Sequence, residues 1–269
     1  MRRRFFCGAV LFAESLRMVD DREVFIYERL KPMAATDNDS LAVLIDADNA
    51  QASVIHELLA EVSRYGTASV KRAYGDWTTT SLKQWKNVLH EMAIQPIQQF
   101  SYTSGKNSTD SALIIDAMDL LHAGGLNGFC LVSSDSDFTR LATRIRESGL
   151  TVYGFGERKT PNAFVAACDK FIYADILKPS KSGDSKTKPK AEPLKPMITE
   201  AINAAAQDDG WANLGTVGSA LQKTNPSFDP RNYGCQKLGE LVRKQKYITV
   251  KDFPGSSGTG GGQILIRMK

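Results

Sequence analysis

Leu131-Val132-Ser133-Ser134-Asp135-Ser136-Asp137-Phe138 decides how the chain is read. The apolar run from Gly128 to Val132 has the length and composition of a buried strand. It gives way to two small hydroxyl residues and then to two aspartates separated by Ser136. A helical pattern follows, with Leu141, Ile145 and Leu150 apolar and Arg140, Arg144 and Arg146 polar. Two carboxylates therefore lie on the turn leaving the C-terminal end of a strand. In an open α/β sheet, ligands bind at that edge.

The same alternation runs through residues 39–177. Leu41 to Ile45, Ala68 to Tyr74, Ile94 to Gln98 and Leu150 to Phe155 are apolar enough for strands. Helical periods are expected over 52–64, 81–92, 109–121 and 137–147. A further helix begins at Pro161, a residue suited to the first helical position, and continues to Cys168. Phe171 to Leu177 closes the unit. Strand-helix alternation with apolar strands predicts an α/β fold, a parallel sheet flanked by helices on both faces.

Residues 178–196 are rich in Lys, Pro and Ser and are expected to be a linker. Residues 197–269 form a second, smaller unit. A helix from Pro196 or Met197 to Ala206 precedes two more helical segments at 214–223 and 231–245. Tyr247 to Val250 and Gln263 to Arg267 alternate as strands around a Gly-rich loop. Three helices and a β-hairpin are the winged-helix plan. Residues 1–38 are expected to be a disordered leader. Their apolar core, Phe5 to Ala13, is too short to span a bilayer and lacks a convincing cleavage site.

Hydrophobic content of 42% and charged content of 24% are those of a soluble globular protein, so no membrane association is expected. Cys7, Cys130, Cys168 and Cys235 are too scattered for a disulfide framework or a zinc site. A reducing cytoplasm fits that usage. His56, His90 and His122 stand apart from one another, and no Ser or Cys nucleophile has a partner histidine. The net charge of +4 is uneven. Residues 39–177 carry 12 basic and 16 acidic side chains, whereas residues 178–269 carry 15 and 8. A basic tail on an acidic body suggests that the tail holds an anionic partner.

Four carboxylates can meet at the sheet's C-terminal edge. Asp46 ends the first strand, Asp110 opens the helix after the third, and Asp135 and Asp137 follow the fourth. Crowded carboxylates repel, and a hard divalent ion such as Mg²⁺ or Mn²⁺ relieves them. Such an ion suits hydrolysis of a phosphate ester by activated water. Each position also has a plainer reading. Ser134-x-x-Asp137 matches a capping box, Asn49 is a fair N-cap, and Asp110 could charge a helix start. Acidic groups after three strands on one edge favour the metal site over separate caps. Asp116 and Asp119 lie about 240° and 180° around the helix from Asp110 and are weaker candidates.

At these residues a family resemblance emerges. Leu44-Ile45-Asp46-Ala47-Asp48-Asn49 resembles the opening motif of NYN domains, a branch of the PIN-like nucleases. Lys106-x-x-x-Asp110 with Asp116 is similar to their second motif, and Ser133 to Phe138 to their third. The resemblance implies a PIN-like fold and metal-dependent RNA cleavage. Asp46, Asp110, Asp135 and Asp137 would carry the metal, with Asn49 placing a water or substrate. Ser134 stands where the family commonly has glycine, and the Lys106–Asp110 spacing is longer than usual. Neither departure removes a carboxylate.

The C-terminal unit resembles an OST-HTH (LOTUS) domain through Phe228 and Tyr233-Gly234-x-x-Lys237-Leu238-x-x-Leu241. That resemblance implies a winged helix that binds RNA or a protein partner. Arg231, Lys237, Arg243, Lys244 and Lys246 are candidate phosphate contacts. Core packing is expected for Tyr233, Leu238 and Leu241. Arg158 and Lys159, in a loop on the carboxylate edge, are further RNA-binding candidates. The loop from Ser101 to Asn107, with Tyr102 and Lys106, is a candidate clamp on which a base could stack. Gly154-Phe155-Gly156 is only a fragment of a dinucleotide loop.

Taken together, the sequence predicts a Mg²⁺- or Mn²⁺-dependent ribonuclease with RNA as its partner. A homodimer is compatible with that reading. A catalytically silent RNA-binding scaffold is the alternative. A haloacid dehalogenase-type phosphatase is less well matched, because Ala50 stands where that class has Thr or Val.

Overall fold

The computed structural model describes residues 39–100, 108–178, 193–253 and 263–269. Six strands form one parallel sheet: β1 (Ser40–Asp46), β2 (Thr67–Gly75), β3 (Gln95–Gln98), β4 (Gly128–Val132), β5 (Thr151–Gly156) and β6 (Lys170–Tyr173). Their order across the sheet is β3-β2-β1-β4-β5-β6. Helices α1 (Ile55–Val62), α2 (Trp85–Glu91), α3 (Ser108–Ala123), α4 (Thr139–Glu147) and α5 (Asn162–Ala167) connect them.

Alternation along β1 explains why both faces are covered. Leu41, Val43 and Ile45 join a core with Ile55, Leu58 and Trp85, from the α1 and α2 side. Ala42 and Leu44 join the opposite core, with Leu113, Leu141 and Phe164 from α3, α4 and α5. A strand buried on both faces has no polar side to show, so it reads as a continuous apolar run.

The C-terminal unit contains α6 (Leu194–Ala205), β7 (Ala212–Asn213), α7 (Leu214–Thr224), α8 (Leu238–Arg243), β8 (Ile248–Phe253) and β9 (Gln263–Met268). Strands β7, β9 and β8 form an antiparallel sheet in that order, which completes a winged helix. Tyr233 and Leu238 pack against a core containing Leu241. The helix expected over 231–245 is divided. A 3-10 turn over Pro230–Tyr233 ends at Gly234, whose φ of 72° is left-handed, and α8 starts at Leu238. Glycine takes that conformation without a side-chain clash, so it can break the helical period. Helix α6 begins at Leu194, earlier than its apolar period suggests.

The two units touch through the segment between α7 and α8. The Phe171 N–H on edge strand β6 donates to the Pro226 carbonyl at 2.8 Å. Arg231 donates two hydrogen bonds to Glu61, at 2.9 and 2.8 Å. Arg158 donates to the Asn232 side chain at 2.6 Å. The winged helix thereby covers part of an exposed strand edge that could otherwise pair with another chain.

Cys130, Cys168 and Cys235 are free and buried. No helix among the described residues is long and apolar enough to cross a membrane. The leader, most of the linker and the Ser101–Asn107 loop lie outside the described residues.

Candidate active site

Strand order reverses between β1 and β4. From β1 the chain moves to β2 and β3 on one side, then crosses back to β4 on the other. Such a reversal opens a crevice beyond the carboxyl ends of the two strands. Asp46 is the last residue of β1, and Ser133 follows the last residue of β4. Asp110 enters from the first turn of α3.

Carboxylate oxygens of Asp110, Asp135 and Asp137 lie within 4.8 Å of one another. Asp110 is buried, Asp135 partly buried and Asp137 exposed, so the cluster is open to solvent on one side. Asp135 also caps the 3-10 turn Ser136–Phe138, because its Oδ1 accepts the Asp137 N–H at 3.0 Å. That cap holds the second aspartate beside the first. Ser134 does not make the capping box of the plainer reading; its hydroxyl oxygen accepts the Glu157 N–H at 2.8 Å and ties the end of β4 to that of β5.

Asp46 lies outside this trio of ligand atoms. It is 1% exposed, and one of its oxygens accepts from the Asn49 side-chain amide at 2.8 Å and the Ser133 hydroxyl at 2.7 Å. Burial pushes its carboxyl up, and those two hydrogen bonds pull against the rise. Asp110 is pushed up to about 6, first by burial and then by the charges of Asp46, Asp135, Asp137 and Asp48. Asp48, exposed two residues beyond Asp46, is a neighbour that sequence reasoning misses. It accepts from the Thr109 hydroxyl at 3.0 Å, next to Asp110. The Asp46-x-Asp48 spacing is the available signal for it.

The donor set fits a hard divalent ion. It consists only of oxygens, and an octahedral Mg²⁺ site places ligand oxygens roughly 3 to 4 Å apart, so a separation of 4.8 Å needs only slight closure. Asp116 is elsewhere: it pairs with Arg72 and accepts from the Tyr74 hydroxyl against β2.

The basic candidates separate into two kinds. Arg158 is held by Asp175 at 3.1 Å and by Asn232, with its guanidinium 4.2 Å from the centre of the Tyr173 ring. Arg231, the expected phosphate contact, is instead clasped between Glu61 and Asp229. Arg243 pairs with Asp252, and Lys244 with Glu240. Lys159 pairs with Glu157 at 2.9 Å but stays largely exposed. Lys237 is exposed at the N-cap of α8. Lys106 lies outside the described residues.

The family model for the NYN domain matches residues 40–177, more than half of the chain. The chain belongs to the NYN domain family. An OST-HTH/LOTUS domain follows the NYN domain, matched over residues 189–258. One chain thus joins a nuclease-like NYN domain to a domain of an RNA-binding type. No curated protein matches it. Among solved structures, a protein of unknown function from Vibrio parahaemolyticus is 19% identical. That match covers 52% of this chain and 96% of the other, at a TM-score of 0.44. An uncharacterized protein from Nitrosomonas europaea is 29% identical, covering 34% and 87%, at a TM-score of 0.28. A protein from Chromobacterium violaceum is 44% identical, covering 29% and 80%, at a TM-score of 0.24.

Proposed function

We propose that this NYN-family chain is a divalent-metal-dependent ribonuclease that hydrolyses RNA phosphodiester bonds. The observation that carries the reading is the convergence of Asp110, Asp135 and Asp137 at the strand-order reversal of a NYN domain joined to an OST-HTH/LOTUS domain. Asp110, Asp135 and Asp137 would hold Mg²⁺ or Mn²⁺. When bound, the ion supplies positive charge to the phosphate and a water acidic enough to react at neutral pH.

The chain's own residues have separable roles. Asp46 places a buried negative charge beside the trio and is oriented by Asn49 and Ser133. Asn49 is exposed at the crevice and can hold the attacking water or a substrate oxygen through its amide. Lys159 and Lys237 are exposed cations that we assign to RNA phosphates. We place the NYN unit at 39–177, the linker from 178 up to the start of α6 at Leu194, and the winged helix from there to 269, in a cytoplasmic protein.

The test is cleavage of a mixed RNA pool with Mn²⁺ or Mg²⁺ against a chelator, repeated for Asp135→Asn. Cleavage that requires metal and is lost in the variant is expected. RNA binding without cleavage under every condition would establish a silent scaffold instead.

A further inference from the structure

A cavity of about 300 Å³ opens beside the acidic crevice, on the α1 side of the sheet. Its walls include Val54, Leu58, Phe155 and Ala174, and Asn49 and Ser133 belong to both the cavity and the Asp46 hydrogen bonds. The volume is at the lower end for small-molecule sites and suits one planar heterocycle. At the rim, the Gln51 side-chain amide donates to Glu157 at 3.1 Å, and Lys178 donates to Gln51 at 3.3 Å. Ser134 fixes the Glu157 backbone, and Asn232 of the winged helix fixes Arg158, another residue of the lining.

We propose that this cavity receives a guanine base of the RNA substrate, one nucleotide from the phosphate held at the acidic crevice. The inference rests on the ribonuclease reading for its ligand and deepens it with a base preference. Apolar walls take the faces of a base, and a carboxylate at the rim accepts two parallel N–H groups. Guanine presents such a pair on its N1 and exocyclic N2. Adenine, cytosine and uracil do not, so Glu157 discriminates once the base displaces the Gln51 amide from one of its oxygens and the Lys159 ammonium from the other. Asn49 and Ser133 line the cavity and also bond Asp46, so the base and phosphate sites share these two side chains.

The experiment has two arms on the full chain. In the first, cleavage ends are mapped on a random RNA pool with Mn²⁺, for wild type, Glu157→Gln and Ala174→Phe. Guanine is expected at one fixed position beside the cut, enriched about tenfold, as for one bidentate base contact. Glu157→Gln should bring that enrichment to within about twofold, and Ala174→Phe, which fills the cavity, should do the same. In the second, binding of short RNAs bearing guanine, inosine or adenine is measured by anisotropy with Ca²⁺, without reliance on turnover. Inosine lacks the N2 amine and should bind between the other two. Guanine-selective binding without cleavage would sustain the pocket while removing the nuclease reading. Cleavage without base preference, or a preference unchanged in Glu157→Gln, would overturn the pocket alone. Should Ala174→Phe fail to fold, the isosteric Glu157→Gln, at a partly exposed position, still decides the matter.

Discussion

Glu61 and Arg231 form a two-pronged ion pair across 170 residues of sequence, joining α1 of the NYN domain to the winged helix. Their side chains are 6% and 19% exposed, and Asp229 grips the same guanidinium at 2.7 Å. Removing one partner of such a pair leaves an uncompensated buried charge, which costs more than the pair contributes. Arg231→Ala should therefore destabilise the full chain by about 3 kcal/mol in urea unfolding, and loosen the two domains in small-angle scattering. Glu61→Leu with Arg231→Leu should recover only part of that loss, because it removes one stranded carboxylate but leaves Asp229 buried without its guanidinium. An Arg231→Ala chain within about 0.5 kcal/mol of wild type would show that the domains are not held this way.

The same pair sets an acid limit. Burial pushes Glu61 up, but hydrogen bonds from Arg231 and Tyr65 and the charges of Arg231 and Arg64 outweigh it, holding the carboxyl at about 2. Its ordinary value is 4.5. A carboxylate depressed by folding contributes stability that is present above its unfolded pKa and lost as the pH falls through the folded one. The contribution should therefore be complete above pH 4.5 and decline towards pH 2. Melting temperatures of wild type and Glu61→Gln, compared across that window, should differ at neutral pH and converge at its acid end.

What sequence could and could not reveal follows from the range of each interaction. The strands of the parallel sheet are legible because burial on two faces leaves an apolar run, as in Val43 to Ile45. The aspartates are legible because chain order and sheet polarity put strand ends on one edge. The Ser133 hydrogen bond to Asp46 is not, since the two residues lie 87 apart in sequence. Arg158 and Arg231 look like free cations in sequence, where nothing local announces Asn232 or Glu61 as their partners. The break at Gly234 is legible only in part: its residue type permits the turn, but the surrounding apolar period continues the helix.

Asp110 should be worth more to metal binding than to folding. It is buried among the charges of Asp46, Asp135, Asp137 and Asp48, so its carboxylate opposes the fold until a cation arrives. In chelator at neutral pH, Asp110→Asn should melt higher than wild type. Adding Mn²⁺ should raise the wild-type melting temperature and leave the variant's nearly unmoved, since only ligand binding to the native state shifts it. Cleavage by the variant should fall by about a hundredfold or more. A variant that melts lower in chelator, or that keeps its Mn²⁺ response, would place the divalent ion elsewhere.

Gly154 marks a close approach within the NYN core. A Cβ built there would lie 2.4 Å from Cδ2 of Phe171 and 2.7 Å from Sγ of Cys168. Phe171 is 1% exposed and packs edge-on against Phe164 and Tyr173, so its ring has little room to retreat. Gly154 therefore serves packing of β5 against β6 and α5. Gly154→Ala should cost about 1 to 3 kcal/mol in urea unfolding through overpacking. Phe171 also donates its N–H to Pro226, so the strain should reach the seam with the winged helix. Gly154→Ala with Phe171→Leu, which frees space for the added methyl, should be less destabilised than the sum of its single changes. Strict additivity of the two would mean that the glycine is required for another reason.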